Sequence, residues 1–414
     1  MLPERPALLP MTTPIPHLLL RGGNTFDSSA RTFSGPRDVL CHDGRFVAAA
    51  ADGAGNVLAC EGMYIVPGLI DCHVHLTSSG AGNEESLTRG MPTAIRAFRA
   101  MRHAEATLRA GFTLVRDLGA PEHLNIHLAR AIADGLIEGP TILAAGFGVT
   151  MTGGHGHTAI AREADGPDEV RKAVREQLRA GAGAIKLFAS GGVMTPGVDP
   201  RAPSFTEAEL QAGVEEAHKA FRTAAAHAQA TEGIKNAIRA GVDSIEHGIW
   251  LDEEAIGLML DRGTYLVPTL TAPTQIDAGG AEAGIPGFML EKNKRVIEDH
   301  IASYQTAVEA GVKVAAGTDQ GTPMNRPGEN GQEIVLMANH GLTPATALLA
   351  ATAWAAEMLG LGEERGRVDE GYIADAVVLS RDPLADITAI AGPTAIVAVV
   401  KDGRVVHRND GGTR

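Results

Sequence analysis

The sequence is poor in aromatic residues, in cysteine and in positive charge, and it has no long apolar run. Three cysteines among 414 residues exclude a disulfide scaffold and suit a reducing compartment. No apolar stretch approaches the roughly 18 residues that suggest a transmembrane helix, so no membrane association is expected. Lys and Arg together number 36 against 50 Asp and Glu, a formal net charge of −14. That balance argues against a nucleic-acid partner, which would call for a basic stripe. Residues 1–16 are proline-rich, with Arg5 the single base and Pro10 interrupting a short apolar stretch. A secretory leader is a poor reading of them. A flexible segment is expected there, with Met11 as an alternative start, in a cytoplasmic protein.

What remains is an ordinary globular composition, 44% apolar and 21% charged. Its length allows one large α/β domain and a smaller one. Glycine is abundant, at 50 residues, which fits many tight strand-to-helix turns and close helix packing.

Both ends read as short strands bounded by turn residues: HLLLRGGNTFD, DVLCHDGRFVAAA and NVLACEGMYIVPG early, YIADAVVLSRDPL and IVAVVKDGRVVHR late. Lys401–Asp402–Gly403–Arg404 carries a hairpin signal. Residues 17–66 and 363–410 are therefore expected to form one composite β-sandwich. Between them, residues 67–362 alternate strand and helix. Eight strand candidates lie at 64–75, 112–119, 141–147, 184–190, 223–228, 243–248, 264–270 and 312–319. Helices are expected at 168–180, 207–221 and 232–241, the last ending in glycine. The fold class is α/β, a (β/α)8 TIM barrel with the small β-sandwich built from both termini.

Barrel enzymes carry their chemistry at the carboxyl ends of the strands. Those ends hold His73 and His75, Lys186, His227, His247, and Asp319. His73 and His75 are two apart, so on a strand they share a face, a natural start for a zinc site. An HxH pair alone is weak evidence; its position after an apolar strand strengthens it. His227 and His247 lie among small residues, which leave room for a metal but also suit tight packing. Asp319 is either a turn residue or a ligand and proton acceptor. Lys186 lies inside the apolar run AIKLF, where an unpaired ammonium is costly. It snorkels, pairs with a carboxylate, or has condensed as a neutral amine with carbon dioxide to give an anionic bridge between two metal ions.

GLIDCHVH, AIKLFASGG, AAHAQATEGIKNAIRAGVDSIEHG and AAGTDQG together resemble the amidohydrolase superfamily. They particularly resemble its imidazolonepropionase-related and prolidase-like branch, which includes dipeptidases, zinc carboxypeptidases and ochratoxin-type amidases. The resemblance spans residues 17 to 410. It implies a dinuclear hydrolase with two divalent metal ions, zinc by default. His73, His75 and Asp319 would bind the first ion, His227 and His247 the second, and Lys186 would bridge them as N6-carboxylysine. A metal-bridging hydroxide would attack an amide: peptide-like, an N-acyl amino acid, or an aryl amide of an amino acid. Asp319 would move the proton. Ureas, carbamates and cyclic amides are the alternative substrates of such a site, and a non-catalytic scaffold the remote one.

Further residues are candidates for reading a small-molecule amide. The loop TGGHGHTA carries His155 and His157, and the resemblance favours His155 as the substrate contact. Ser78 follows the first histidine pair. Gln229 stands where some relatives have a substrate-binding tyrosine. Glu246 is expected to be structural or to support a metal ligand from behind, Cys72 to pack on the opposite strand face, and His103, His218 and His300 to be surface or helix-packing residues. A homo-oligomer is expected.

Overall fold

The computed structural model describes residues 17–48, 55–392 and 394–409. The segment 1–16, read above as flexible, lies outside the described residues.

Both ends of the chain meet in one sheet. Leu18–Asp27, Thr32–His42, Arg45–Val47, Asn56–Ala59 and Tyr64–Pro67 come from the amino side. Ala376–Leu379, Ile396–Lys401 and Arg404–Arg408 come from the carboxyl side. Tyr64–Pro67 runs antiparallel to Ala376–Leu379 and joins the two sets. Leu20, Phe46, Ile65, Val378 and Val400 pack into one buried cluster. The Asp402–Gly403 turn has φ of 48° and 75°, the positive values that match a tight hairpin to strand twist.

The run 64–75, expected as one strand, is two strands in two sheets. Tyr64–Pro67 belongs to the terminal sheet, and Leu69–Val74 opens the parallel one. The break falls at Gly68. A Cβ there would collide with Thr113 Oγ1 and with the Cβ of Asp375, so the chain can turn between layers only with glycine.

The middle of the chain is α/β with parallel sheets. Leu69–Val74, Phe112–Asp117 and Thr141–Ala144 pair in sequence order. Gly148–Thr150, Ile185–Phe188, Ala224–Ala228, Ser244–His247 and Tyr265–Val267 form the body of a second parallel sheet. The expected helices occur at Pro167–Ala180, Glu207–Lys219 and Thr231–Ala240. Thr206 starts the second with a reciprocal capping box to Glu209.

The expected eighth strand, 312–319, is not a regular strand. The segment is extended and held by isolated bridges, Leu266 to Val314 on one side and Val74 to Gln320 on the other. Cys72 N–H donates to the Ala316 carbonyl at 2.8 Å, and Asp319 N–H to the His73 carbonyl at 2.7 Å. Asp319 itself has φ of 56°, which ends any ladder at the residue that turns toward the site. Among the described residues, no helix is long and apolar enough to cross a membrane.

Candidate metal centre

Five imidazoles form an arc at the carboxyl ends of the parallel strands. Ring centroids step from His155 to His227 at 4.6 Å, to His247 at 4.5 Å, to His73 at 5.3 Å and to His75 at 5.4 Å. These residues come from four separate chain segments. Period-two alternation brings His73 and His75 to one face, while Cys72 turns the other way and packs with Ile70, Leu114 and Tyr265.

Each of four rings has one nitrogen tied to an acceptor. His73 Nδ1 lies 2.9 Å from Glu246 Oε2, and His75 Nδ1 lies 2.9 Å from the Gly119 carbonyl. His227 uses Nε2, 2.9 Å from the Gly191 carbonyl. His247 Nδ1 is 2.7 Å from Thr269 Oγ1, whose own proton goes to the Pro268 carbonyl. A carbonyl can only accept, so these contacts assign the ring proton to the tied nitrogen. The other nitrogen of each ring keeps its lone pair. Orientation of a ligand histidine by its second nitrogen is the usual support of a metal site.

The free lone pairs of His73 and His75 converge on an anion. Both Nε2 atoms are 3.3 Å from Asp319 Oδ1. The donor atoms of these three residues all lie within 4.8 Å of one another. Three electron-rich atoms at such separations call for a proton or a metal cation between them. His227 and His247 stand outside that group as a separate pair. Lys186 Nζ is buried without a hydrogen-bond partner, 5.5 Å from the Phe188 ring centroid. An ammonium in that state is costly, and a group that changes its charge removes the cost. The donor set and the unpartnered lysine both fit divalent metal ions.

The electrostatics agree. Burial is the main cause that holds His73, His227 and His247 well below the usual imidazole range, so they are neutral donors at neutral pH. Burial also lowers Lys186 to about 8. It would raise Asp319, but His73 and His75 more than reverse that and hold it at about 2. For His75 burial pulls downward, and Asp319 outweighs it, so the net shift is upward.

A cavity of about 430 Å³ opens over the arc. Ile249, Ile276, Met289 and Val296 give it an apolar wall, and Arg89 and Arg96 line its polar part. His155, Ser78 and Gln229 line it too. His157 does not: its Nδ1 turns to the Gly154 carbonyl at 2.8 Å. The difference follows from the Gly-rich turn, which points neighbouring histidines apart. His155 Nδ1 meets Thr195 Oγ1 at 2.8 Å, and burial drops its pKa to about 3.

Several partners were invisible in the sequence. Glu246 fits the expected support of a ligand, but its partners were not foreseen: Arg116, wholly buried, donates to it at 2.8 Å while Ser244 Oγ donates at 2.5 Å. Of the two expectations for His300, helix packing is the one that fits: it is buried on Gly287–Glu309, and its Nε2 is 3.0 Å from the His247 carbonyl. Thr195, Thr269, Gly119 and Gly191 carry no motif. Only the EHG run, with a carboxylate beside a strand-end histidine, offered a signal.

A parallel α/β chain with a cluster of neutral histidines, an aspartate and a buried lysine at its strand ends defines a class of hydrolases. The comparisons identify which. Residues 64–406 match the Amidohydrolase family, and the chain belongs to it. It is thus a hydrolase acting on C–N bonds. It is 34% identical to ochratoxinase of Aspergillus niger over 374 residues, covering 82% of this chain and 75% of that protein. A solved prolidase complexed with N-methylphosphonate-L-proline superposes with a TM-score of 0.89 at 33% identity, covering 95% of this chain and all of the other. A Xaa-Pro dipeptidase with methionine bound in its active site gives 0.86 at 29% identity, with coverage of 95% and 100%.

Proposed function

We propose that the protein is a dinuclear metal-dependent amidase of the peptide-cleaving kind. Its substrate would be a dipeptide, an N-acyl amino acid or an aryl amide of an amino acid. The observation that carries this reading is the orientation of four histidines, each with one nitrogen tied and the other free, around Asp319 and an unpartnered Lys186. His73, His75 and Asp319 would hold one ion, and His227 and His247 the other. Zinc suits imidazole donors.

Two such ions supply Lewis acidity, lowering the pKa of water and polarising the scissile carbonyl. The chain's own groups do the rest. The Lys186 ammonium would shed one proton, and the neutral amine would then add to carbon dioxide, forming an N–C bond as one C=O π bond opens onto oxygen and releasing a second proton to water; a costly buried cation would become a carbamate anion able to help hold divalent ions. Asp319 accepts a proton from the attacking water as the C–O bond forms. It returns that proton to nitrogen as the C–N bond breaks. His155, a neutral ring, donates from Nε2 to a substrate oxygen. The apolar wall receives a bulky side group, and Arg96, whose Nε has no partner while Arg89 is paired with Glu85, attracts a carboxylate. The resemblances to ochratoxinase and to prolidase-type enzymes support an amide bearing an amino acid.

The same reading extends to the whole molecule. The bridges at Val314 and Gln320 favour a closed (β/α)8 barrel at 67–362, and the joint sheet of the two termini favours one composite β domain. Three unpaired, buried cysteines suit a cytoplasmic protein.

The test is amino-acid release from pooled dipeptides and N-acyl amino acids by zinc-loaded protein. Release is expected, with loss of more than about 100-fold in Asp319→Asn. Lys186→Ala should lose the second metal and most activity. An active Lys186→Ala protein holding two metals would overturn the bridge. No release from metal-loaded protein would redirect the assignment to ureas, carbamates or cyclic amides.

A further inference from the structure

Lys292 lies on the helix Gly287–Glu309, about a hundred residues from the loop it touches. Its ammonium donates to three backbone carbonyls of that loop: Gly192 at 3.0 Å, Thr195 at 2.6 Å and Val198 at 2.5 Å. An ammonium has three donors and no acceptor, so its valence is filled. Among the described residues, no backbone N–H reaches these three carbonyls. Such carbonyls need a partner when withdrawn from water. Lys292 therefore does for this loop what a bound monovalent cation would do.

The loop in turn holds two histidines of the arc. The Gly191 carbonyl accepts from His227 Nε2 at 2.9 Å. Thr195 Oγ1 accepts the Gly156 N–H at 3.0 Å and meets His155 Nδ1 at 2.8 Å. The Thr195 hydroxyl has no acceptor but His155 Nδ1 among the described residues, so its proton points there and the proton of that ring lies on Nε2. Gly192 lies flat against the same ring, where a Cβ would come within 2.5–2.7 Å of its atoms. The contacts of His227 and His155 thus run through residues 191–195, and the Lys292 ammonium gathers that turn.

We propose that Lys292 is a positioning residue that, by tying the 191–198 loop, sets the ring tautomers of His227 and His155. It rests on the dinuclear reading only for its effect on metal binding; the tautomers themselves do not depend on it. Removing the ammonium should loosen His227 and His155 while sparing His73 and His75, whose tied nitrogens face Glu246 and Gly119.

The experiment compares wild type, Lys292→Met and Lys292→Ala, each metal-free and zinc-titrated. In the metal-free proteins, nitrogen-15 histidine spectra read the tautomers directly. Wild type should show His227 and His155 each as one Nε2–H form, and Lys292→Met should show mixtures at these two rings alone. Zinc titration should then show the second ion weakened at least about 10-fold, within the range for lost support of a ligand, with the first unchanged. Methylammonium added to Lys292→Ala should restore the single tautomers. Unchanged tautomers in both variants would overturn the proposal, as would equal disturbance of all five rings. If wild type binds fewer than two zinc ions, the dinuclear reading fails while the tautomer result still decides the role of Lys292.

Discussion

His73 and Glu246 lie 173 residues apart in the chain and 2.9 Å apart in the fold, ring Nδ1 against carboxylate oxygen, with neither side chain meaningfully exposed to water. The carboxylate also takes the buried Arg116 guanidinium at 2.8 Å. One group thereby orients a metal-ligand candidate and neutralises an otherwise unpaired buried cation.

Glu246→Gln should therefore act twice. Loss of the charge leaves Arg116 buried and unpaired, a change that costs about 3–5 kcal/mol in comparable interiors. Loss of the oriented acceptor weakens the ion at His73, by about 10–100-fold where such support has been removed. Denaturant unfolding of metal-free protein reads the first effect and zinc titration the second. A variant with wild-type stability would contradict the buried ion pair.

Gly192→Ala probes how closely the loop packs on His155. The added methyl meets three ring atoms at 2.5–2.7 Å, so the ring must move. A displacement of about 1 Å in a catalytic contact costs on the order of 100-fold in rate. The expected outcome is a fall of that size in kcat/KM with an unchanged circular dichroism spectrum. Equal activity would remove His155 from the reaction.

Glu333 makes the protein pH-sensitive in its apolar wall. Its carboxylate accepts from Leu270 N–H, Thr271 N–H and Thr271 Oγ at 2.6–2.8 Å, and so caps the helix Thr271–Gly279 that lines the cavity. Burial raises its pKa to about 7. The folded state thus binds more protons than the unfolded state between the ordinary carboxyl range and pH 7. Its contribution is present in full below about 4.5 and is lost as pH rises through 7. The shift corresponds to about 3 kcal/mol. Unfolding of wild type and Glu333→Gln across pH 4.5 to 8 should show the variant gaining on wild type by that order as pH rises. Parallel curves would rule out the shift.

Much of the site was legible in residue order because metal donors are few in kind and strand ends are recognisable. An apolar run ending in His-x-His, a lysine stranded among apolar residues and an Asp after Gly-Thr identify themselves locally. His157 misled because a glycine turn reorients neighbours independently of their type. His300 could be read only as surface or helix-packing, because helical position alone does not say which neighbour a face meets. The run at 64–75 looked continuous because its apolar pattern does not interrupt; only the closeness of Thr113 and Asp375 at Gly68 divides it.

By itself the sequence determined the alternation of strand and helix, the pooling of both termini, and the six candidate donor residues, since periodicity and side-chain chemistry are local properties. The tertiary structure decided which nitrogen of each ring is free. That choice belongs to the Gly119 and Gly191 carbonyls, Thr269 and Glu246, set against their histidines by strand pairing and loop closure. Backbone carbonyls are the same in every residue, so no pattern of side chains announces which of them will meet a ring.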